Sequence, residues 1–320
     1  MDPAAPTGLG ENRRMILRLD PRYPLVWRTP DTIQLGIDRP VAIVPGVTAP
    51  LESVIAALRV GVPRSGALML GRQAGATDAA TTALLGALAP ALVGLDSHPE
   101  LPGADAAPLT ATWFDPRPAG AVRRDSRPVV FVDGDGDTAE RIRRLLADLG
   151  ITAALTPGGA VPERPDLAVI VDHYVFAPER HGHWLRRDVP HLPVLFSDTE
   201  ARIGPLVEPG AGPCLTCLDL EHVDDDPAWP AIASQLLTRT APTETPRLSI
   251  EVAATAAGIV HERVFASSNE FAAASLAIDA ASLAVRRRAH RPHARCGCRF
   301  LPESVIVLAG NAAGFRPRTS

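Results

Sequence analysis

Four cysteines are the whole thiol content of this 320-residue chain, and they fall in two close pairs: Cys214 and Cys217 in "PGAGPCLTCLDL", Cys296 and Cys298 in "PHARCGCRF". Such pairs admit three chemistries. They can cycle between dithiol and disulfide, supply half of a metal site each, or sit buried as unrelated structural thiols. Two short pairs far apart suit a tetrahedral thiolate site best, because each pair chelates from one turn and the two turns meet in space. Zn²⁺ is the usual occupant. The second pair, Cys-x-Cys, is tighter than usual but still lets both sulfurs face one ion. A redox pair is expected at a helix N-terminus after an early strand, whereas Cys214 follows "EPGAGP" late in the chain. Four cysteine ligands close the shell, so the zinc is read as structural, with no thiol left as a nucleophile and no catalytic residue assigned. His290 and His293, beside the second pair, then fall outside the ligand set.

A second stretch could bind a nucleotide. "PVVFVDGDGDTAERIRRLLADLG" reads as an apolar strand, a turn through Gly134 and Gly136, and a helix ending at Gly150, which is how a nucleotide-binding βαβ unit opens. The fingerprint is altered, however. Asp133, Asp135 and Asp137 flank the glycines, Asp137 and Glu140 stand where a phosphate would lie, and no acidic residue follows the second strand to hold a ribose. Carboxylates at a helix N-terminus favour its dipole and repel phosphate. The chain also has no lysine, so any mechanism that needs one is excluded. A Rossmann-like turn without nucleotide follows, and ATP is not expected. The acidic run Asp224, Asp225, Asp226 reads as solvated and receives no role.

These groups need elements to position them. Residues 13–95 read as short strands, "LVWRT", "TIQLG" and "VAIV", followed by helices over "APLESVIAAL", "RSGALMLGRQAG" and "TDAATTALLGALAPAL", with Thr48 and Thr77 as N-caps. Three strands and three helices of this size suggest a winged-helix-like module. Nucleic acid is not its expected partner: net charge is −4 and no arginine occurs from 73 to 95. The proline-rich stretch 96–127 reads as a linker, and 1–12 and 311–320 as tails. From 128 to 310 a second α/β domain is expected, with strands at "ITAAL", "LAVIVD" and "PVLFSD" and a helix over "RLSIEVAATAAGIVHERVFA". "ASLAIDAASLAVRRRAHRPH" fits a hairpin or a helix. The N-terminus lacks the apolar core of a secretory signal, and the longest apolar run is too short to cross a bilayer, so a soluble cytoplasmic protein with no membrane partner is expected.

Three stretches, "LPVLFSDTEARIGPLVEPGAGPCLTCLDL", "DPAWPAIASQL" and "RRRAHRPHARCGC", resemble the ThiF-like part of the cyclodehydratase proteins of thiazole/oxazole-modified microcin clusters, especially actinobacterial ones. The resemblance covers about residues 13–310 and is most specific from Gly204 to Leu237. It implies an N-terminal winged-helix-like module, similar to the peptide chaperone PqqD, that recognises a leader peptide. It also implies a Rossmann-like ThiF-type domain with a Cys₄ zinc site at Cys214, Cys217, Cys296 and Cys298, and a separate YcaO-type partner that cyclises Cys, Ser or Thr. Of the aspartates that adenylating members use, only Asp172 matches. The leading reading is therefore a leader-peptide-binding scaffold for bacteriocin biosynthesis rather than a catalyst. The ligand would pair with the edge of Val41, Ala42, Ile43 and Val44 and reach a cleft lined by Leu84, Leu85 and Leu88. The alternatives are a ThiF-like ATP-dependent adenylyltransferase and a structural or regulatory zinc protein. A homodimer is compatible with all three.

Overall fold

The computed structural model describes residues 15–94, 127–155 and 164–299. The expected tails, and the expected linker apart from Arg127, lie outside them. The chain divides into two units, taken separately below.

The described strands and α-helices of the first unit are β1 (Ile16–Leu19), β2 (Leu25–Thr29), β3 (Thr32–Leu35), β4 (Ala42–Val44), α1 (Ala49–Val60), β5 (Val62–Pro63), α2 (Arg64–Ala74), α3 (Asp78–Leu88) and β6 (Leu92–Gly94). The three strands and three helices read from the sequence all form. Strands β2, β3 and β4 make one antiparallel sheet in that order. Asp31 sets its first turn, accepting from the hydroxyls of Thr29 at 2.7 Å and Thr32 at 3.2 Å. The unread β1, β5 and β6 form a second small sheet, ordered β5-β1-β6. Thr77 caps α3 by accepting from the Ala80 amide at 3.1 Å. Thr48 occupies the N-cap of α1 without a side-chain bond, and Pro50 opens that helix instead. Ile33, Leu35, Val54, Leu58, Leu85 and Leu88 meet in one core, each contributing about 1.5–3 kcal/mol on burial.

The second unit is a seven-stranded mixed sheet. Its elements are β7 (Val129–Asp133), α4 (Gly136–Asp148), β8 (Thr152–Leu155), β9 (Leu167–His173), α5 (Pro178–Arg186), β10 (His191–Phe196), β11 (Glu200–Ile203), α6 (Leu215–Asp225), α7 (Trp229–Ser234), α8 (Pro246–Ala266), β12 (Ala274–Asp279) and β13 (Val285–Ala289). The order is β13-β12-β11-β10-β9-β7-β8. Strands β8, β7, β9 and β10 run parallel, and β11 to β13 are antiparallel. The parallel strands are continuous apolar runs because helices cover their faces; Leu167 through Ile170 are fully buried. The ambiguous stretch after 273 is a hairpin. Asp279 decides it, its Oδ1 accepting from the amides of Ala281 and Ser282 at 3.1 and 2.9 Å. On β13, Arg286 and Arg288 reach the buried Glu200 at 2.8 and 2.9 Å, while Arg287 meets Glu270 at 2.7 Å. Among the described residues no helix is long and apolar enough to cross a membrane.

Candidate functional site

The four cysteines converge. Cys214 is the N-cap of α6 and Cys217 lies in its first turn, so one helical start presents both sulfurs to the same side. Cys296 and Cys298 follow β13, around the short helical turn Gly297–Arg299. All four Sγ atoms lie within 4.8 Å of one another. Cys214 to Cys217 is 3.8 Å, Cys214 to Cys296 is 3.6 Å, and Cys217 to Cys298 is 3.5 Å. A tetrahedral zinc with Zn–S near 2.3 Å requires sulfurs about 3.8 Å apart. A disulfide needs about 2.05 Å, and all four thiols are free. The donor set therefore fits one thiophilic cation.

The electrostatics agree. Burial pushes the Cys214 thiol up to about 11, and the neighbouring Cys217 and Cys296 sulfurs add to the shift. Burial raises Cys298 further still. Cys217 is drawn the other way: burial opposes its ionisation, but the backbone of His293 and Cys214 favours its thiolate. Thiolates this close repel strongly unless a cation sits among them. His293 is not a fifth donor. Its Nε2 pairs with Asp224 Oδ2 at 2.8 Å, and Arg295 pairs with the same carboxylate, which pins the second cysteine segment to α6. Asp224 thus has a role that the acidic run did not suggest. His290 Nε2 contacts the Ser275 hydroxyl at 2.7 Å, also outside the set.

A second cluster lies at the carboxyl ends of β7 and β9. The chain turns from β7 to β8 on one side and returns to β9 on the other, so the order reverses between β7 and β9. Open α/β sheets bind ligands at such a point. Gly134 and Gly136 are there, the first because of close packing and the second because of its backbone conformation. A Cβ on Gly134 would stand 2.9 Å from the Val171 Cβ, and Gly136 has φ +82°. Asp172 is held by Arg180, whose Nη2 also donates to the Asp133 carbonyl and carboxylate at 2.8 and 2.9 Å. Burial lifts Asp172 above the ordinary carboxylate range and outweighs the guanidinium.

The start of α4 already has an anion. Asp135, at its N-cap, makes no side-chain cap. Glu244 arrives from 106 residues away instead: Oε1 accepts from the Thr138 amide at 3.2 Å and its hydroxyl at 2.5 Å, and Oε2 lies 3.3 Å from His173 Nε2. His173 Nδ1 accepts from the Ala241 amide at 3.2 Å, and the Thr243 hydroxyl donates to the Ser197 carbonyl. Residues 241–245 therefore lie across the strand ends, with a carboxylate at the helix N-terminus. No period or spacing in the stretch around Glu244 marks it in advance.

The expected peptide-binding residues divide. Ala42, Ile43 and Val44 form β4, which pairs only with β3 among the described residues, and Val41 precedes it. Ala42 and Val44 face the core, whereas Ile43 is 48% exposed. Leu35, whose carbonyl accepts from the Val41 amide at 2.9 Å, is the register partner of Ala42, so Ala42 turns its backbone toward β3 and by alternation the Ile43 amide points to the open edge. Helix α3 packs beside β4. Leu84, Leu85 and Leu88 are only 0–2% exposed. The structure thus corrects their placement: at helical spacing they anchor α3 into the core and offer no surface to a cleft.

No protein-family model and no curated protein sequence matches this chain. Solved structures resemble it distantly. The heterocyclase TruD is 16% identical with a TM-score of 0.42, matching 96% of this chain and 45% of its own. The E. coli microcin synthetase McbBCD complex is 12% identical at 0.44, over 89% of this chain and 100% of the other. E. coli MccB with AMPCPP and MccA is 12% identical at 0.41, over 89% and 99%. The chain spans less than half the length of TruD and of a heterocyclase solved with substrate and cofactor.

Proposed function

We propose that this chain captures the leader of a ribosomal precursor peptide by strand addition and presents the peptide to a separate YcaO-type cyclodehydratase for azoline formation. The observation that carries the reading is the edge of β4, with β3 as its one neighbour among the described residues and with Ile43 turning both its amide and its exposed side chain outward beside α3. Such an edge offers backbone donors and acceptors to an extended ligand, and the side chain next to it supplies specificity. Zinc at the four cysteines would give no catalytic position. It would be structural, joining α6 to the segment after β13, because a closed thiolate shell contributes to folding rather than chemistry.

The competing reading is an ATP-dependent adenylyltransferase. Glu244 weighs against it, since its carboxylate occupies the place at α4 where a phosphate would be bound, and Asp172 is committed to Arg180. Titrating a labelled leader from a neighbouring precursor gene into the full-length protein tests the proposal. Binding should be saturable. Ile43→Pro, which removes one outward donor, should weaken it about 3- to 10-fold, and Ile43→Asp should weaken it with the fold intact. Binding indifferent to both changes would refute capture at this edge. Pyrophosphate exchange that depends on this chain would put the adenylyltransferase first.

A further inference from the structure

The scaffold reading draws on the open edge of β4, but the second unit has an edge of a different character. Among the described residues β13 pairs with β12 alone, in antiparallel register from Val285 opposite Ile278 to Ala289 opposite Ala274. The Asp279 amide donates to the Ala284 carbonyl at 3.0 Å, and the His290 amide to the Ala273 carbonyl at 2.8 Å. Counting back by twos from His290 gives Arg288 and Arg286, which therefore turn their backbone toward β12. By the same alternation Val285, Arg287 and Ala289 turn their amides and carbonyls outward. Such a row is a template for one more strand.

The side chains select what can use it. The stretch 285–291, "VRRRAHR", holds four arginines and no carboxylate. Arg202, Ala277 and Arg286 stand in register across β11, β12 and β13, so the small Ala277 lets guanidiniums converge from both sides. They meet on one acid: Glu200 takes Arg286 at 2.8 Å, Arg288 at 2.9 Å and Arg202 at 3.4 Å. Glu200 is buried beneath them, whereas the Arg286 and Arg288 side chains are 46% and 40% exposed. An approaching molecule therefore meets positive charge on this face. On the other face Arg287 is balanced by the exposed Glu270, and Asp279 is spent on the hairpin turn.

We propose that β13 is the docking edge for an extended acidic segment of a partner protein, which adds as the next strand and sets carboxylates opposite the arginines. Opposite charges on neighbouring strands favour pairing, while backbone bonds supply affinity and alternate side chains supply selection. A phosphodiester chain has no donor for the outward carbonyls, so the complement is a polypeptide. This docking does not depend on leader capture at β4.

The probe is a blocked heptapeptide alternating glutamate and valine, titrated into zinc-loaded, full-length protein, with lysine–valine and glutamine–valine peptides as controls. The readout is amide hydrogen exchange resolved by residue. The acidic peptide should slow exchange at Val285, Arg287 and Ala289 at least tenfold at saturation and leave Arg286 and Arg288, already bonded to β12, unchanged. The same peptide N-methylated at every residue should bind at least tenfold more weakly. Ala289→Pro, which removes one outward donor and no charge, should weaken binding about 3- to 10-fold. Arg286→Gln should weaken it and flatten its salt dependence, which in the parent should amount to roughly tenfold between about 50 mM and about 500 mM salt. Zinc content measured on each variant separates loss of the edge from loss of the fold. Equal binding by the glutamine or N-methylated peptide, protection confined to Ile43, or no binding up to about 1 mM peptide, where even ~4.1 kcal/mol would register, overturns the proposal. Slow exchange at the three outward amides in the free protein overturns it as well, since the edge would then already be covered by a second copy or by this chain itself.

Discussion

Replacing Glu244 by alanine should destabilise the second unit by about 2–3 kcal/mol. The carboxylate acts as a distant cap for α4, and its removal leaves the Thr138 amide without its acceptor. Loss of a helix cap costs about 0.5–2 kcal/mol, and loss of negative charge at the N-terminal dipole a further 0.3–1 kcal/mol, roughly. The Glu244 side chain is only 13% exposed, so water replaces it poorly and the sum should lie toward the top of that range. Glu244→Gln keeps an acceptor for Thr138 and should lose roughly 0.5–1 kcal/mol. In urea, with a slope near ~2 kcal/mol/M, the alanine midpoint should fall by about 1 M. Hydrogen exchange at the Thr138 amide gives a local readout and should accelerate in the alanine variant. The reasoning fails if Glu244→Ala unfolds within about 0.5 kcal/mol of the parent and Thr138 exchange is unchanged. The crevice would then be open, and ATP–Mg²⁺ at ~100 times its dissociation constant should stabilise the parent by ~2.7 kcal/mol.

Purified protein should hold about one zinc per chain, and Cys214→Ser should lose it and partly unfold the second unit; a folded, metal-free parent on elemental analysis would refute the centre. His191 is buried and its pKa is pushed down to about 4 by that burial. Because folding favours its neutral form, the associated stability is present above the unfolded value near 6.5 and is lost as pH falls from there toward 4, by up to ~3 kcal/mol. His191→Gln should flatten that part of the pH profile relative to the parent, which urea midpoints at pH 7.5 and pH 5, taken as approximate settings, would check. Gly134→Ala should cost about 1–3 kcal/mol by crowding Val171, whereas Gly86→Ala, with open space around it on α3, should add about 0.5–1 kcal/mol. Equal thermal stabilities for the two glycine variants would contradict the packing assigned to Gly134.

What the sequence disclosed follows from the range of each interaction. The β2–β4 strands and the three helices of the first unit are set by local period and turn residues, so they were legible. Strands β1, β5 and β6 have two to four residues each, too few for a period, and exist through their pairing. The cysteine site was legible because chelation imposes short spacings within each pair. Glu244 was not, because "TAPTETP" has no period and its partner Thr138 is 106 positions away. Asp224 failed for the same reason: its partners His293 and Arg295 are 69 and 71 positions distant. Leu84, Leu85 and Leu88 show the opposite limit. Their spacing announced a buried face but could not say whether protein or ligand would cover it.

The arginines of β13 have a consequence for solution behaviour. Among the described residues this strand is the last in its sheet, with β12 as its one neighbour. If a second copy aligned its own β13 antiparallel to it about the centre, Arg286 would oppose Arg288 and Arg287 would oppose Arg287. Like charges directly opposite are unfavourable in a sheet, and an exposed edge is otherwise a template for unlimited growth. Sheet-to-sheet accretion, the first step toward fibrous aggregates, is therefore blocked at this end by the same side chains that hold Glu200 and Glu270. High salt, which screens such repulsion, is the condition under which this protection should weaken and concentrated samples should begin to scatter light.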